Sequence, residues 1–300
     1  MVTLTYQAVA WNRPLPPFAS RPPRTPPSEP AHHRMMNVDH ISSRQNPLVK
    51  RFRDAAREPG RDGLVLLDGA HLVEEALSAR VPIDVAAFEE PPDTDALHAV
   101  RARAAAAGTR SVTVSPQVLA AMSPVREPSG VVALAQLTST PLDQVSTRAP
   151  QLLVILVGVQ DPGNVGALIR TAEACGATGI IATPGTASPF GWKALRGAMG
   201  SAFRLPIATH VDLAHLAREL RTRGIAFLAA VPRSGIPLPD CRLTAPTALF
   251  LGGEGGGVPA ELVESADLHV SIPMRAPVES LNVAIAGSLI LYEAARQRGV

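Results

Sequence analysis

Apolar residues in this chain fall into short blocks of strand length separated by stretches with helical spacing, and the two alternate through most of its length. In the first half, 64–67, 83–88, 112–114 and 131–135 read as strands. Between them Leu72, Val73, Ala76 and Leu77 recur at helical intervals, and an Ala-rich segment at 96–107 reads as a second helix. Asn46-Pro47 offers an N-cap followed by proline at the first helical position, which predicts a basic helix running through Arg57. Together these elements predict a small α/β layer domain over residues 37–137.

A second alternating run begins at 152–159, an apolar block that lacks the in–out alternation of a half-exposed strand and therefore predicts one buried on both faces. Helix 165–175, strand 179–182, helices 192–199 and 213–223, strands 225–230, 248–252 and 268–272, and a helix over 281–297 follow. Strands alternating with helices imply an α/β domain with a mostly parallel sheet over 151–300. The last helix carries Val283, Ile285, Ala286, Leu289, Ile290 and Tyr292, apolar nearly all round, so it is either deeply buried or half of a subunit interface.

Composition adds boundaries. Proline crowds residues 12–30, among Arg, Ser and Thr, so 1–36 is expected to be a disordered extension; a start codon placed upstream of Met35 and Met36 would also account for it. Residues 138–150, rich in Thr, Ser and Pro, are expected to link the two domains. A chain of 300 residues with 46% hydrophobic content can bury a sizeable core, and no stretch approaches the ~20 apolar residues of a membrane span. With no apolar signal-peptide segment either, the expected location is cytoplasmic. Cys175 and Cys241, the only cysteines, are expected as buried thiols, and the eight histidines show no ligand spacing, so no metal is expected. Net charge is only +2, so an anionic partner must be held by a local patch. Arg44, Lys50, Arg51, Arg53, Arg57 and Arg61 supply one around the first helix, which is either an RNA-phosphate surface or simply a solvated face.

Three separated segments carry the candidate chemistry. In Asp161-Pro-Gly-Asn-Val-Gly-Ala-Leu-Ile-Arg170 a turn follows the buried strand, Asn164 is suited to cap the next helix, and Arg170 lies within an otherwise apolar helix. In Leu249-Phe-Leu-Gly-Gly-Glu-Gly-Gly-Gly-Val-Pro259 the glycine loop lacks both the P-loop ending and the dinucleotide GxGxxG spacing. It is either a floppy surface loop or one that lets a ligand approach the backbone, with Glu254 its ionisable group. In Ile272-Pro-Met-Arg-Ala-Pro-Val-Glu-Ser-Leu-Asn-Val283, Ser280 stands where a helix N-cap is expected and Asn282 in the first turn.

In order and separation these segments resemble motifs 1, 2 and 3 of the SpoU/TrmH group of SPOUT RNA 2′-O-ribose methyltransferases. The stretch Lys193-Ala-Leu-Arg-Gly-Ala-Met-Gly-Ser-Ala-Phe-Arg204 is similar as well. Ile41 to Lys50 and Leu67 to Ala76 resemble, more weakly, the ribosomal-protein-like RNA-binding domain that many members carry. The resemblance implies a C-terminal α/β domain with a deep trefoil knot, a homodimer formed through that domain, and S-adenosylmethionine as cofactor. It assigns Asn164, Arg170, Glu254, Ser280 and Asn282 to the reaction, and Gly252, Gly253, Ile272, Met274 and Leu281 to the cofactor cradle. Gly253 stands where many members have Asn or Ser, and Ala276 where many have glycine.

The implied reaction moves a methyl group to a ribose 2′-oxygen of structured RNA, with 23S ribosomal RNA favoured over transfer RNA by the added N-terminal domain. Arg170, as a guanidinium, is a poor general base; it is expected to hold a phosphate and stabilise the developing alkoxide, with Glu254 orienting it through a salt bridge. A non-catalytic RNA-binding assembly factor of the same fold is the alternative, and a nicotinamide oxidoreductase lacks its glycine fingerprint.

Overall fold

In chain order the computed structural model, which describes residues 39–91 and 94–300, begins with β1 (His40–Ile41), α1 (Pro47–Arg57), β2 (Leu64–Asp68), α2 (Ala70–Ser78), β3 (Ile83–Glu89) and α3 (Asp95–Ala106). Next come β4 (Ser111–Val114), α4 (Pro116–Met122), β5 (Val131–Gln136), α5 (Leu142–Val145), β6 (Leu152–Val157), α6 (Pro162–Ala174), β7 (Gly179–Ala182) and α7 (Trp192–Ala198). The rest is β8 (Ile207–Thr209), α8 (Leu213–Thr222), β9 (Ala226–Ala230), β10 (Ile236–Pro237), β11 (Thr247–Gly252), α9 (Ala260–Ser265), β12 (Leu268–Ser271) and α10 (Val283–Arg298). The expected proline-rich extension, 1–36, lies outside the described residues.

Two sheets result. The first has five strands in the order β1-β4-β3-β5-β2, with β5 antiparallel to both neighbours. The second has seven, β10-β12-β9-β11-β6-β7-β8, and every pairing in it is parallel. Strand β6 is central and all six of its residues are buried, as a strand covered by helices on both faces must be. From β6 the chain runs outward through β7 to β8 and only later fills the opposite side with β9, β11 and β12. The carboxyl ends of β6 and β11 therefore flank a topological switch point, where an open α/β sheet leaves a crevice.

The sequence reading missed the short elements. Helix α4 is seven residues long and buries Val118, Leu119 and Met122, too few positions for periodicity to register. Strands β8 and β10, of three and two residues, have no pattern of their own and exist because a neighbouring strand supplies partners. The expected linker is packed rather than loose: α5 lies within it, and Val145 and Ser146 are fully buried. Cys241 is buried, but Cys175, at the C-cap of α6, is only half-buried; burial pushes both thiols up. Among the described residues no helix is long and apolar enough to cross a membrane.

The two sheets are held against one another. One hydrophobic core contains Val65, Leu67 and Leu72 as well as Val154, Leu168 and Leu195, and Trp192 of α7 packs on the other core of the first sheet, around Phe52. Arg204 clamps this junction, bonding Glu75 of α2 at 2.5 Å and Glu173 of α6 at 2.6 Å. Burial acts to raise the Glu173 carboxyl, but its bonds from Arg204 and Ser201 outweigh that and hold it below the ordinary carboxylate value. Within the second sheet's layer, a side chain on Gly166 would lie 2.9 Å from the Gly197 Cα, so two glycines let α6 and α7 cross in backbone contact. Gly287 gives α10 the same close seat against Leu168 and Leu251.

Candidate active site

The three polar-loop segments converge at the carboxyl end of the second sheet. Strand β6 delivers the turn at Asp161, β11 delivers the glycine loop, and β12 delivers the stretch leading into α10. A cleft of about 500 Å³ lies between the last two, lined by Gly252, Gly253, Glu254, Ile272, Met274, Ser280 and Leu281. Val231 and Pro232, just after β9, line it too, as do Val283, Ala286 and Ile290 of α10. All five residues expected in a cofactor cradle thus share one cleft. Val231 and Pro232 lie outside the three motifs, and the only mark they carry in the sequence is a proline just after an apolar strand.

Helix caps differ from the sequence reading in a way that matters for chemistry. Asp161, not Asn164, caps α6, its Oδ1 accepting from the Asn164 backbone N–H at 3.0 Å. Asn282, not Ser280, caps α10, its Oδ1 accepting from the N–H groups of Ala284 at 2.9 Å and Ile285 at 3.3 Å. Relieved of capping, the Asn164 side chain links the segments: its Nδ2 donates to Glu254 Oε1, and its Oδ1 accepts from Asn282 Nδ2 at 3.1 Å.

This chain of bonds has a fixed direction. Glu254 can only accept, so Asn164 must turn its amide nitrogen towards it and present its oxygen to Asn282. Asn282 must then donate with nitrogen, which leaves its oxygen for the helix N–H groups, donors that can do nothing else. Acceptor at one end and donors at the other assign both amide orientations without ambiguity. One residue from each segment is locked into a single arrangement at the rim of the cleft.

Arg170 stands apart. It is exposed, and among the described residues its side chain has no hydrogen bond or ion pair. Six residues of helix carry it roughly 9 Å along α6 from Asn164 and about a third of a turn round. The expected Glu254–Arg170 salt bridge is therefore absent among the described residues; the carboxylate is bonded to Asn164 instead. Ser280 lies in the cleft wall, exposed.

The basic cluster around α1 is also more structural than the sequence suggested. Arg44 and Arg53 each donate Nε to a backbone carbonyl of α4, those of Gln117 at 3.2 Å and Ala121 at 2.9 Å, and Arg51 pairs with Asp84 at 2.6 Å. Arg61 pairs with Glu58. Lys50 and Arg57 are exposed, with no side-chain partner among the described residues.

Residues 151–292 match the SpoU rRNA Methylase family, and residues 46–133 match the MRM3-like substrate binding domain. An uncharacterized tRNA/rRNA methyltransferase of Synechocystis is 36% identical over 272 residues, covering 87% of this chain and 95% of the relative. The chain belongs to the SpoU methylase family. Another relative, the 23S rRNA (guanosine(2553)-2′-O)-methyltransferase RlmP of Bacillus subtilis, is 31% identical over 85% of this chain and 98% of its own length. Among solved structures, the AdoMet-bound rRNA methyltransferase of Sinorhizobium meliloti superimposes with a TM-score of 0.77 at 30% identity, over 86% of this chain and 98% of that one. As a SpoU methylase the chain has the mixed α/β architecture, with its mostly parallel sheet, that those neighbours share.

Proposed function

We propose that this SpoU methylase transfers the methyl group of S-adenosylmethionine to a ribose 2′-hydroxyl in structured RNA, with a guanosine of 23S ribosomal RNA as its target. The observation that carries this reading is the Glu254–Asn164–Asn282 relay at the mouth of a cleft built from glycine backbone and apolar side chains. The cofactor fits the cleft. A Cβ at Gly252 or Gly253 would collide with the Gly257 or Gly158 carbonyl group, so glycine lets the loop fold tightly against the strand ends, while Gly255, Gly256 and Gly257 face open space and leave backbone groups bare to a ligand. Ile272, Met274 and Leu281 supply apolar walls for an adenine ring. When bound, S-adenosylmethionine supplies an electrophilic methyl carbon on a sulfonium, and transfer to an oxygen nucleophile needs no metal.

The protein's share is positioning and charge. Asn164 and Asn282, oriented by the relay, hold the acceptor ribose and the loop, and alignment of this kind supplies as much as ~7 kcal/mol of a barrier. Ser280, in the cleft wall, is within the cradle. Arg170 cannot serve as base; exposed and set apart from the relay, its planar fork grips an RNA phosphate beside the acceptor ribose, while the hydroxyl proton leaves to solvent or phosphate. Substituting Arg170→Lys keeps the charge and removes the fork, so kcat/KM should drop at least ten-fold, about 1.4 kcal/mol. Near wild-type turnover would refute the bidentate role.

Residues 37–137 present the RNA. Lys50 and Arg57 offer cationic heads that have no partner among the described residues, and Arg44, Arg51 and Arg53 retain donors beyond those used internally. Few aromatics are at hand, so recognition relies on RNA shape and phosphates. The working unit is a homodimer: Ile285, Leu289 and Tyr292 form one exposed apolar stripe on α10, 55%, 42% and 66% accessible. The fold carries the trefoil knot of its family, and the enzyme works in the cytoplasm, where ribosomal RNA is. Calorimetric binding of S-adenosylmethionine, followed by mapping of 2′-O-methyl sites in RNA from a deletion strain and its parent, tests the proposal. Absence of cofactor binding would favour an assembly factor instead, and an unchanged methylation map would refute the activity.

A further inference from the structure

A second cavity, about 620 Å³, opens on the other side of the glycine loop, at the carboxyl ends of β6, β7 and β11. It is a neighbour of the cofactor cleft rather than part of it: the loop Gly253–Gly257 is the partition, and Glu254 lines both. Its size falls within the about 300–1,000 Å³ of small-ligand sites. Pro184, Leu213 and Pro259 give it rigid apolar surfaces, while Gln160, Asp212 and Glu254 are, apart from Thr183, its polar side chains among the described residues. Thr183 is already satisfied, donating to the Leu156 carbonyl at 3.2 Å.

Among the described residues no lysine or arginine lines this cavity, and two carboxylates do. A phosphate or other anion is repelled there; a flat ring with N–H donors on its edge is matched. We propose that this cavity receives the base of the target nucleotide and selects guanine through Asp212. The inference rests on the methyltransferase reading and extends it to substrate choice.

Asp212 is held ready for that task. It caps α8, its Oδ1 accepting from the His215 N–H at 2.9 Å, which fixes the side chain and leaves Oδ2 without a partner among the described residues. A carboxylate has room for about four hydrogen bonds, so the cap does not exhaust it. Guanine alone among the four bases presents two adjacent donors, N1–H and the 2-amino group, to such an acceptor pair. Adenine and cytosine place an acceptor beside their amino group, and uracil flanks its one N–H with two carbonyls. A base unstacked from the RNA can stack on the proline and leucine surfaces while its ribose sits over the rim of the loop at Glu254, which lines both cavities and belongs to the relay.

The test uses the full chain saturated with S-adenosylmethionine, with guanosine, inosine and adenosine as probes, read by amide chemical shifts. Guanosine should shift the amides of Gly158, Leu213 and Gly255, and inosine, lacking the 2-amino group, should bind at least about ten-fold more weakly. Asp212→Asn keeps a good cap on α8, so folding is retained, yet guanosine affinity should fall to that of inosine. Gln160→Ala tests the cavity with no effect on a cap and should weaken guanosine binding as well. Guanosine binding that leaves these amides unmoved, equal affinity for inosine, or indifference to Asp212→Asn would each overturn the proposal. Calorimetry with S-adenosylmethionine on the same samples keeps the two readings apart: loss of cofactor binding would count against the methyltransferase, whereas the nucleoside arm alone judges the cavity.

Discussion

Asn282 performs two tasks with two ends of one amide, and a pair of substitutions separates them. Its oxygen caps α10 and its nitrogen donates to Asn164. Asn282→Ala removes both. Loss of an Asn cap costs about 1 kcal/mol, which in a chain of this size lowers Tm by about 2–4 °C. Asn282→Asp keeps the cap, since aspartate ranks with asparagine there and its charge suits a helix N-terminus, so Tm should stay close to that of the wild type. The relay, however, cannot survive. An aspartate at 282 faces the Asn164 oxygen with another acceptor, and turning the Asn164 amide round only moves the conflict to Glu254. One lost hydrogen bond beside an acceptor–acceptor contact is worth about 1–3 kcal/mol in alignment, or roughly ten- to hundred-fold in kcat/KM. Methyl transfer from labelled cofactor to an rRNA transcript, measured beside thermal melts, reads both quantities. Full activity in Asn282→Asp would show that Asn282 is only a cap, and the directional relay would have no catalytic meaning.

Other outcomes follow from the same geometry. Gly252→Ala places a methyl group against the Gly257 carbonyl; the loop must move at a cost of about 1–3 kcal/mol, and calorimetry should show at least a ten-fold loss of cofactor affinity. Leu289→Arg in the exposed stripe of α10 should convert a dimer into a monomer in sedimentation, and a wild-type chain that is monomeric at micromolar concentration would refute the dimer. Asp68 is 7% exposed, and burial raises its carboxyl above the ordinary value despite a bond from Ser123 and the nearby Arg196 charge. A carboxyl raised on folding favours the folded state when protonated, so its stabilisation is complete below the unfolded value of about 3.9 and is lost as pH rises through the folded one. Asp68→Asn should therefore raise Tm near pH 7 and flatten the Tm–pH profile above pH 4; a lower Tm at neutral pH would mean that the charge is needed there.

Local patterning alone fixed a good deal of this protein. Periodicity located the long elements to within a few residues because burial on a helix or strand face leaves its period in the sequence: residues 152–159 read as a doubly covered strand with no knowledge of its neighbours, and β6 is Leu152–Val157. Three ordered motifs identified the family, and the five residues they assign to a cofactor cradle line a single cleft. What remained hidden was set between segments. Which residue caps α6 or α10 depends on backbone angles at a single position, and Asp161, Asn164, Ser280 and Asn282 are all chemically able to do it. Only the fold, by taking Asp161 and Asn282 as caps, left Asn164 free to join Glu254, 90 residues away. Likewise the short strands β8 and β10, the packed α5, the solvent-facing Arg170 and the two cavities on either side of one glycine loop arise from long-range pairing and packing, to which local propensity is blind.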